Sequence, residues 1–251
     1  MGKKGKSICL FSSKGGTGKS SIATLLSGFF AMQDKKVLII DFDLSFGSIG
    51  LLLNKESNKN IYDLYSDYSN NKFTDISDYV TKYNDNILFL SSSSDPRQGV
   101  KINDAFIKFI LEKSIYSYDY IIIDTNSDCS NVNIDLLDNV DNVLFIMNND
   151  LLNIKNMRSM INIFKVAGKT NYKVLLNEST NPYKNYYSLY DIKKMIGTGV
   201  DYNLTSKFFM KNYDSLVFDG SIITGKKIIV KESRQQIKSL VKFILKQIKF
   251  L

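Results

Sequence analysis

Histidine is absent from this chain of 251 residues, and cysteine occurs only at Cys9 and Cys129. Imidazole acid–base chemistry is therefore excluded, and a disulfide framework or a Cys/His zinc site has too few ligands. So little cysteine fits a reducing, cytoplasmic setting. Arginine is scarce too: only Arg97, Arg158 and Arg234 accompany the lysines. The net charge of +8 therefore reads as lysine-rich background, alongside abundant Asn, Ile and Tyr, and nucleic-acid binding is not the favoured reading. No apolar run approaches the ~20 residues that span a bilayer. The basic start, Met1 to Lys6, is followed by only a short apolar stretch, so it is not expected to be a signal peptide. No linker rich in Pro, Gly or Ser and no internal repeat divides the chain.

What is present is a rhythm of aliphatic runs alternating with amphipathic stretches, with 44% apolar residues overall. That rhythm predicts strand–helix units and an α/β fold: one doubly wound, mostly parallel sheet flanked by helices, as a single domain over residues 1–251. Strands are expected at Ser7–Ser12, Lys36–Asp41, Ile87–Ser91, Tyr118–Asp124, Asn142–Met147, Tyr172–Asn177 and Leu204–Phe209. Helices are expected from Lys19 to about Met32, Asn103–Ser114, Leu151 to about Val166, and Ser233 onwards. The polar Lys55–Asn86 segment reads as surface helix and loops.

In such a sheet ligands bind beyond the carboxyl ends of the strands, and four motifs fall there. After the first strand comes Ser13-Lys14-Gly15-Gly16-Thr17-Gly18-Lys19-Ser20-Ser21, a phosphate-binding loop that aims backbone N–H groups and a helix start at a triphosphate. Lys19 is placed to reach the β- and γ-phosphates and the Ser20 hydroxyl to ligate Mg²⁺. One lysine suffices for that cradle, so the second, Lys14, is expected to act elsewhere. The aliphatic run Val37–Ile40 ends in Asp41 and Asp43, which could hold Mg²⁺ through water, position an attacking water, or cap the next turn. The run Tyr120–Ile123 ends in Asp124, the Walker B pattern. The run Lys173–Leu176 ends in Asn177.

These motifs resemble the deviant Walker A family of ParA and MinD ATPases. The resemblance implies ATP and Mg²⁺ as ligands and slow, partner-regulated ATP hydrolysis. It implies a homodimer in the ATP state, with Lys14 crossing to the partner's nucleotide. By the same match Asp43 orients the hydrolytic water, Asp41 and Asp124 support the Mg²⁺ shell, and Asn177 reads the adenine edge. Relatives continue Asp-Thr-Pro-Pro after Walker B; here Asn126-Ser127-Asp128 stands instead of the prolines. The stretch Asp41–Leu53 is similar to MinD-like proteins and leans towards the CpaE/TadZ ATPases that place pilus-assembly machinery at a cell pole. The output implied is localisation of a protein partner. Rival readings are a DNA-partitioning ParA, whose ATP-bound dimer retains DNA, and a non-hydrolysing nucleotide-binding scaffold.

At the C-terminal end Ile237, Leu240, Val241, Ile244, Leu245 and Ile248 share one helical face, with Lys238, Lys242, Lys246 and Lys249 opposite. This helix is expected to dock as the last layer on the sheet. Resemblance to MinD implies the other use, peripheral contact with a membrane through Phe243, Phe250 and Leu251. Cys129 is expected to be an inert, partly buried thiol. Tyr183, Tyr186, Tyr187 and Tyr190 are expected to line a solvated face or a partner contact.

Overall fold

Strands that are aliphatic on both faces can only sit in a sheet covered on both sides, and parallel pairing with helical crossovers provides that cover. The computed structural model describes residues 4–93, 95–99, 101–179, 181–206, 218, 220, 235–236, 238–240 and 242–244. Its strands are β1 Lys6–Phe11, β2 Val37–Phe42, β3 Thr81–Lys82, β4 Ile87–Leu90, β5 Tyr120–Thr125, β6 Asn142–Met147, β7 Tyr172–Asn177 and β8 Tyr202–Leu204. They form one sheet in the order β3-β4-β2-β5-β1-β6-β7-β8. Every neighbouring pair is parallel except the two-residue edge strand β3, which runs antiparallel to β4.

The helices are α1 Lys19–Ala31, α2 Ile49–Leu52, α3 Ile61–Ser69, α4 Pro96–Gly99, α5 Asp104–Ser114, α6 Asn131–Asn139, α7 Leu151–Val166 and α8 Leu189–Ile196. Because successive strand side chains point to opposite faces, each strand feeds two cores. One face carries Cys9, Phe11, Leu38, Ile40, Ile121, Ile123, Phe145 and Leu176 under α3, α5, α6, α7 and α8. The other carries Ile8, Leu10, Val37, Ile39, Ile122, Leu144 and Leu175 under α1 and α2. Leu240 and Ile244 join this second core, and the Phe243 ring lies 5.9 Å from that of Tyr202. The described part of the C-terminal helix therefore docks on the sheet, as expected. Phe250 and Leu251 lie outside the described residues.

The strand predicted at Leu204–Phe209 begins and ends earlier, at Tyr202–Leu204; residues 207–209 lie outside the described set. Pairing with β7 sets its position, with Tyr202, Asn203 and Leu204 opposite Leu175, Leu176 and Asn177. Helices α6 and α8 were not predicted. Both are short with narrow apolar faces, yet α8 announces itself by a capping box in which Ser188 and Asp191 bond each other's backbone N–H. The Lys55–Asn86 segment holds α3, opened by a similar box at Asn60 and Asp63, together with β3. Among the described residues no helix is long and apolar enough to cross a membrane.

β1 pairs with β5 on one side and β6 on the other. The chain order reverses there, so the crevice beyond the carboxyl end of β1 is where the fold places a ligand.

Candidate nucleotide-binding site

The loop leaving β1 occupies this crevice. Gly18 has φ 92° and Gly16 φ 72°, backbone that residues bearing a Cβ rarely adopt. Gly18 is also hemmed in, since a Cβ there would stand 2.8 Å from Asn177 Nδ2. No side chain caps the first turn of α1 and no acidic residue sits in it. Its backbone N–H groups are left for an anion, with the positive helix end behind them.

Three ionisable side chains converge beneath the loop. Lys19, the first residue of α1, is only 8% exposed, Asp124 at the end of β5 is 0% exposed and Asp41 at the end of β2 is 1% exposed. Strand register sets Asp124 opposite both Asp41 and Leu10, in the middle of the crevice. Neither carboxylate oxygen of Asp124 has a hydrogen-bond partner of good geometry, although the Ser20 hydroxyl stands near enough to favour its ionised form. Burial pushes the Asp124 carboxyl up to about 7, with Ser20 and Lys19 opposing and Asp43 adding to the rise. Burial and then Asp124 push Asp41 up to about 8, although two backbone N–H groups oppose this. Burial likewise pulls the Lys19 ammonium down, against the attraction of Asp124 and Asp43. A buried carboxylate without donors is costly unless a cation or a proton meets it.

This has a consequence for the free chain. A carboxyl whose folded pKa is raised holds its proton more tightly when folded. Its contribution to stability is therefore present below the ordinary carboxylate pKa and is lost as pH rises through the folded value. Asp124 and Asp41 thus predict a loss between about pH 4 and 8, on the order of a few kcal/mol. Thermal unfolding of the ligand-free protein measures it: Asp124→Asn should flatten the fall of Tm with pH, and an unchanged slope would contradict the assignment.

Asp41 does more local work than predicted. Its oxygens accept the backbone N–H of Asp43 at 3.1 Å and of Ile49 at 2.9 Å, closing the loop between β2 and α2. That is the capping role among its readings. Asp43 accepts from Ser45 and Phe46 N–H through Oδ1 alone. Asn177 donates to the Thr17 carbonyl at 2.9 Å, so its NH₂ braces the phosphate loop and Oδ1 is the atom left to face a base. Thr17 is buried in the loop, while Ser20 and Ser21 are half-buried on the first turn of α1.

Lys14 points away from this buried group. Its Nζ lies 2.9 Å from Asp150 Oδ2, with the two side chains 39% and 38% exposed. Asp150 also caps α7 by accepting the Asn153 N–H at 3.0 Å. The buried Asn153 amide donates to Ser12 and Ser13 at the entry of the phosphate loop and accepts from Asn148 N–H. Asp150 and Asn153 were missed in the sequence. The rule that found Asp41, Asp124 and Asn177, polar residues at a strand exit, applies equally to Asn148-Asn149-Asp150 after β6. Cys129 is exposed, not partly buried, because its loop lies at the crevice rim. Tyr183, Tyr186 and Tyr190 are exposed, as expected of a solvated face.

A left-handed glycine turn, a helix with uncapped N–H groups, a buried lysine and an orphaned strand-end carboxylate together define a P-loop site. A family model described as an AAA domain matches residues 5–177, more than half of the chain, and the chain belongs to that family. Its fold is that of the ParA/MinD ATPases. A ParA family ATPase from Chlorobium tepidum matches with a TM-score of 0.79 at 17% identity, covering 94% of this chain and 98% of the other. The septum site-determining protein MinD of Pyrococcus horikoshii, solved with Mg-ADP, matches at 0.76 and 16% identity over 95% of each chain. An uncharacterized ATP-binding protein of Methanocaldococcus jannaschii is 26% identical over 172 residues, 68% of this chain and 63% of that relative. The chain spans 49% and 43% of two further curated relatives.

Proposed function

We propose that this chain is an ATP-dependent dimerising ATPase switch of the ParA/MinD type, positioning a partner machinery in the cell. The observation that carries the reading is the disposition of the two lysines. Lys19 is buried beside Asp124, where the β- and γ-phosphates of ATP would lie. Lys14 stands at the crevice rim, held by one half-exposed ion pair. A lysine turned outward at a phosphate loop suits a triphosphate bound by a second copy. Phe46 is 85% exposed, and Leu151 and Leu152, next to Asp150, are also exposed, which suits a surface that becomes covered.

In this reading the loop N–H groups and Lys19 bind the phosphates, and Asn177 Oδ1 meets the adenine amine. Asp43 Oδ2 is the atom that accepts a hydrogen bond from the attacking water. Asp124, with two unpartnered buried oxygens, and the Ser20 hydroxyl are the residues that would hold Mg²⁺, directly or through water; Asp41 stands behind them. Mg²⁺ when bound neutralises charge on the β- and γ-phosphates. The likeness of Asp41–Leu53 to MinD-like sequences supports localisation as the output, with pilus assembly as its finer form. The last helix, docked through Leu240 and Ile244, supports a structural role for that part over membrane insertion.

Sedimentation tests the reading directly. With Mg²⁺ and ATP, or a non-hydrolysable analogue, the chain should sediment as a dimer and hydrolyse ATP slowly; with ADP or no nucleotide it should be a monomer. One sedimentation coefficient in all three conditions would sink the switch.

A further inference from the structure

We infer that Asn133, on α6, is a positioning residue that holds the loop after Asp124 against the phosphate loop. This rests on the ATPase reading above and extends it to residues that no motif names.

The loop Asn126–Ser130 joins β5 to α6 and carries no proline. Prolines would stiffen such a turn by fixing φ; without them another constraint must define its shape. Asn133 is 1% exposed, and a buried amide is tolerated only when its donors are matched. Its Nδ2 donates to Asn126 Oδ1, to the Asp128 carbonyl at 2.8 Å and to Asp128 Oδ1 at 2.9 Å. Asn126 Nδ2 donates back to Asp128 Oδ2 at 2.9 Å, and the Ser130 N–H to Asp128 Oδ1 at 3.0 Å. One side chain thus gathers Asn126 and Asp128 at the turn. The loop also borders a cavity of about 680 Å³ lined by Phe42, Leu44, Asn126, Asp128 and Asn133, so core packing does not back it on that side.

What the brace positions is Ser127. A Cβ built on Gly15 would lie 3.6 Å from Ser127 Oγ, so this hydroxyl overhangs the entry of the phosphate loop. It has no hydrogen-bond partner among the described residues and is free to meet a phosphate oxygen or the water beside it. At the other end the Thr125 hydroxyl donates to the Leu10 carbonyl at 2.8 Å, tying β5 to β1. The loop is therefore pinned at both ends, at Thr125 and at Asn133, with Ser127 between.

The test measures steady-state ATP hydrolysis and nucleotide affinity for the wild type, Asn133→Ala, Asn133→Asp, and Asn133→Ala combined with Asn126→Pro. Asn133→Asp keeps the volume but sets a carboxylate against Asp128. Both single variants should lower kcat about ten- to a hundredfold, with KM and ATP affinity within about twofold of wild type. Asn126→Pro, which leaves the Ser127 hydroxyl in place, should restore kcat to the Asn133→Ala background by stiffening the turn. Equal kcat in wild type and Asn133→Asp would overturn the inference, as would loss of nucleotide binding in step with kcat. So would an Asn126→Pro that restores nothing. A wild type that binds but never hydrolyses ATP would fail the parent reading instead.

Discussion

Lys19→Ala is expected to abolish nucleotide binding while leaving the fold intact. The wild-type ammonium is nearly buried and has Asp124 and Asp43 as its charged neighbours. In the proposed site its donors would replace water around the phosphates at low dielectric, where a charge-assisted contact is strong. Removing one partner of such a pair costs about 3 kcal/mol or more, over a hundredfold in Kd. The free chain should tolerate the loss. Without Lys19 the Asp124 carboxyl is pushed further up and keeps its proton, so no uncompensated charge is left buried. Equilibrium binding of a fluorescent ATP analogue, beside thermal unfolding of the ligand-free protein at pH 6, separates the two effects. Wild-type affinity in this variant would remove Lys19 from the phosphate cradle.

Lys14→Ala should behave in the opposite way: nucleotide binding kept, dimer and turnover lost. In the free chain this lysine loses little by leaving Asp150, because exposed ion pairs contribute only about 0–1 kcal/mol. A γ-phosphate offers hydrogen bonds between charged groups worth about 1.5–3 kcal/mol, so the phosphate wins when a second copy presents it. A cation supplied across an interface accelerates phosphoryl transfer by about a thousandfold or more, and turnover should fall by that order. Sedimentation with a non-hydrolysable analogue and phosphate-release kinetics are the measurements. A variant that still dimerises and hydrolyses like wild type would leave Lys14 with its visible role alone, the ion pair to Asp150.

The legible parts of this chain share a physical cause. Ile121-Ile122-Ile123 and Val37–Ile40 read as buried strands because only burial on both faces accommodates unbroken aliphatic runs. Gly16 and Gly18 read as a phosphate turn because their spacing fits backbone that other residues avoid. Asp41, Asp43, Asp124 and Asn177 read as site residues because each closes such a strand. The missed residues are Asn and Asp at a helix cap or inside a helix, where those types carry no site signal of their own. Asn133 lies inside α6, Asn153 inside α7, and Asp150 caps α7. Nothing local distinguishes an asparagine that braces a loop through a buried amide from one that faces water.

Local pattern thus settled the α/β class, the succession of strand-end motifs along the chain, and the glycine loop after β1. Those features depend on neighbours in sequence: side-chain period, glycine backbone and helix starts. Folding alone decided that Asp41 spends its oxygens on Asp43 and Ile49 N–H while Asp124 has none to meet. It also decided that Asn177 reaches across 160 residues to the Thr17 carbonyl and that Lys14 rests on Asp150. Such pairings follow from which strand lies beside which, and strand order is fixed by burial summed over the whole sheet.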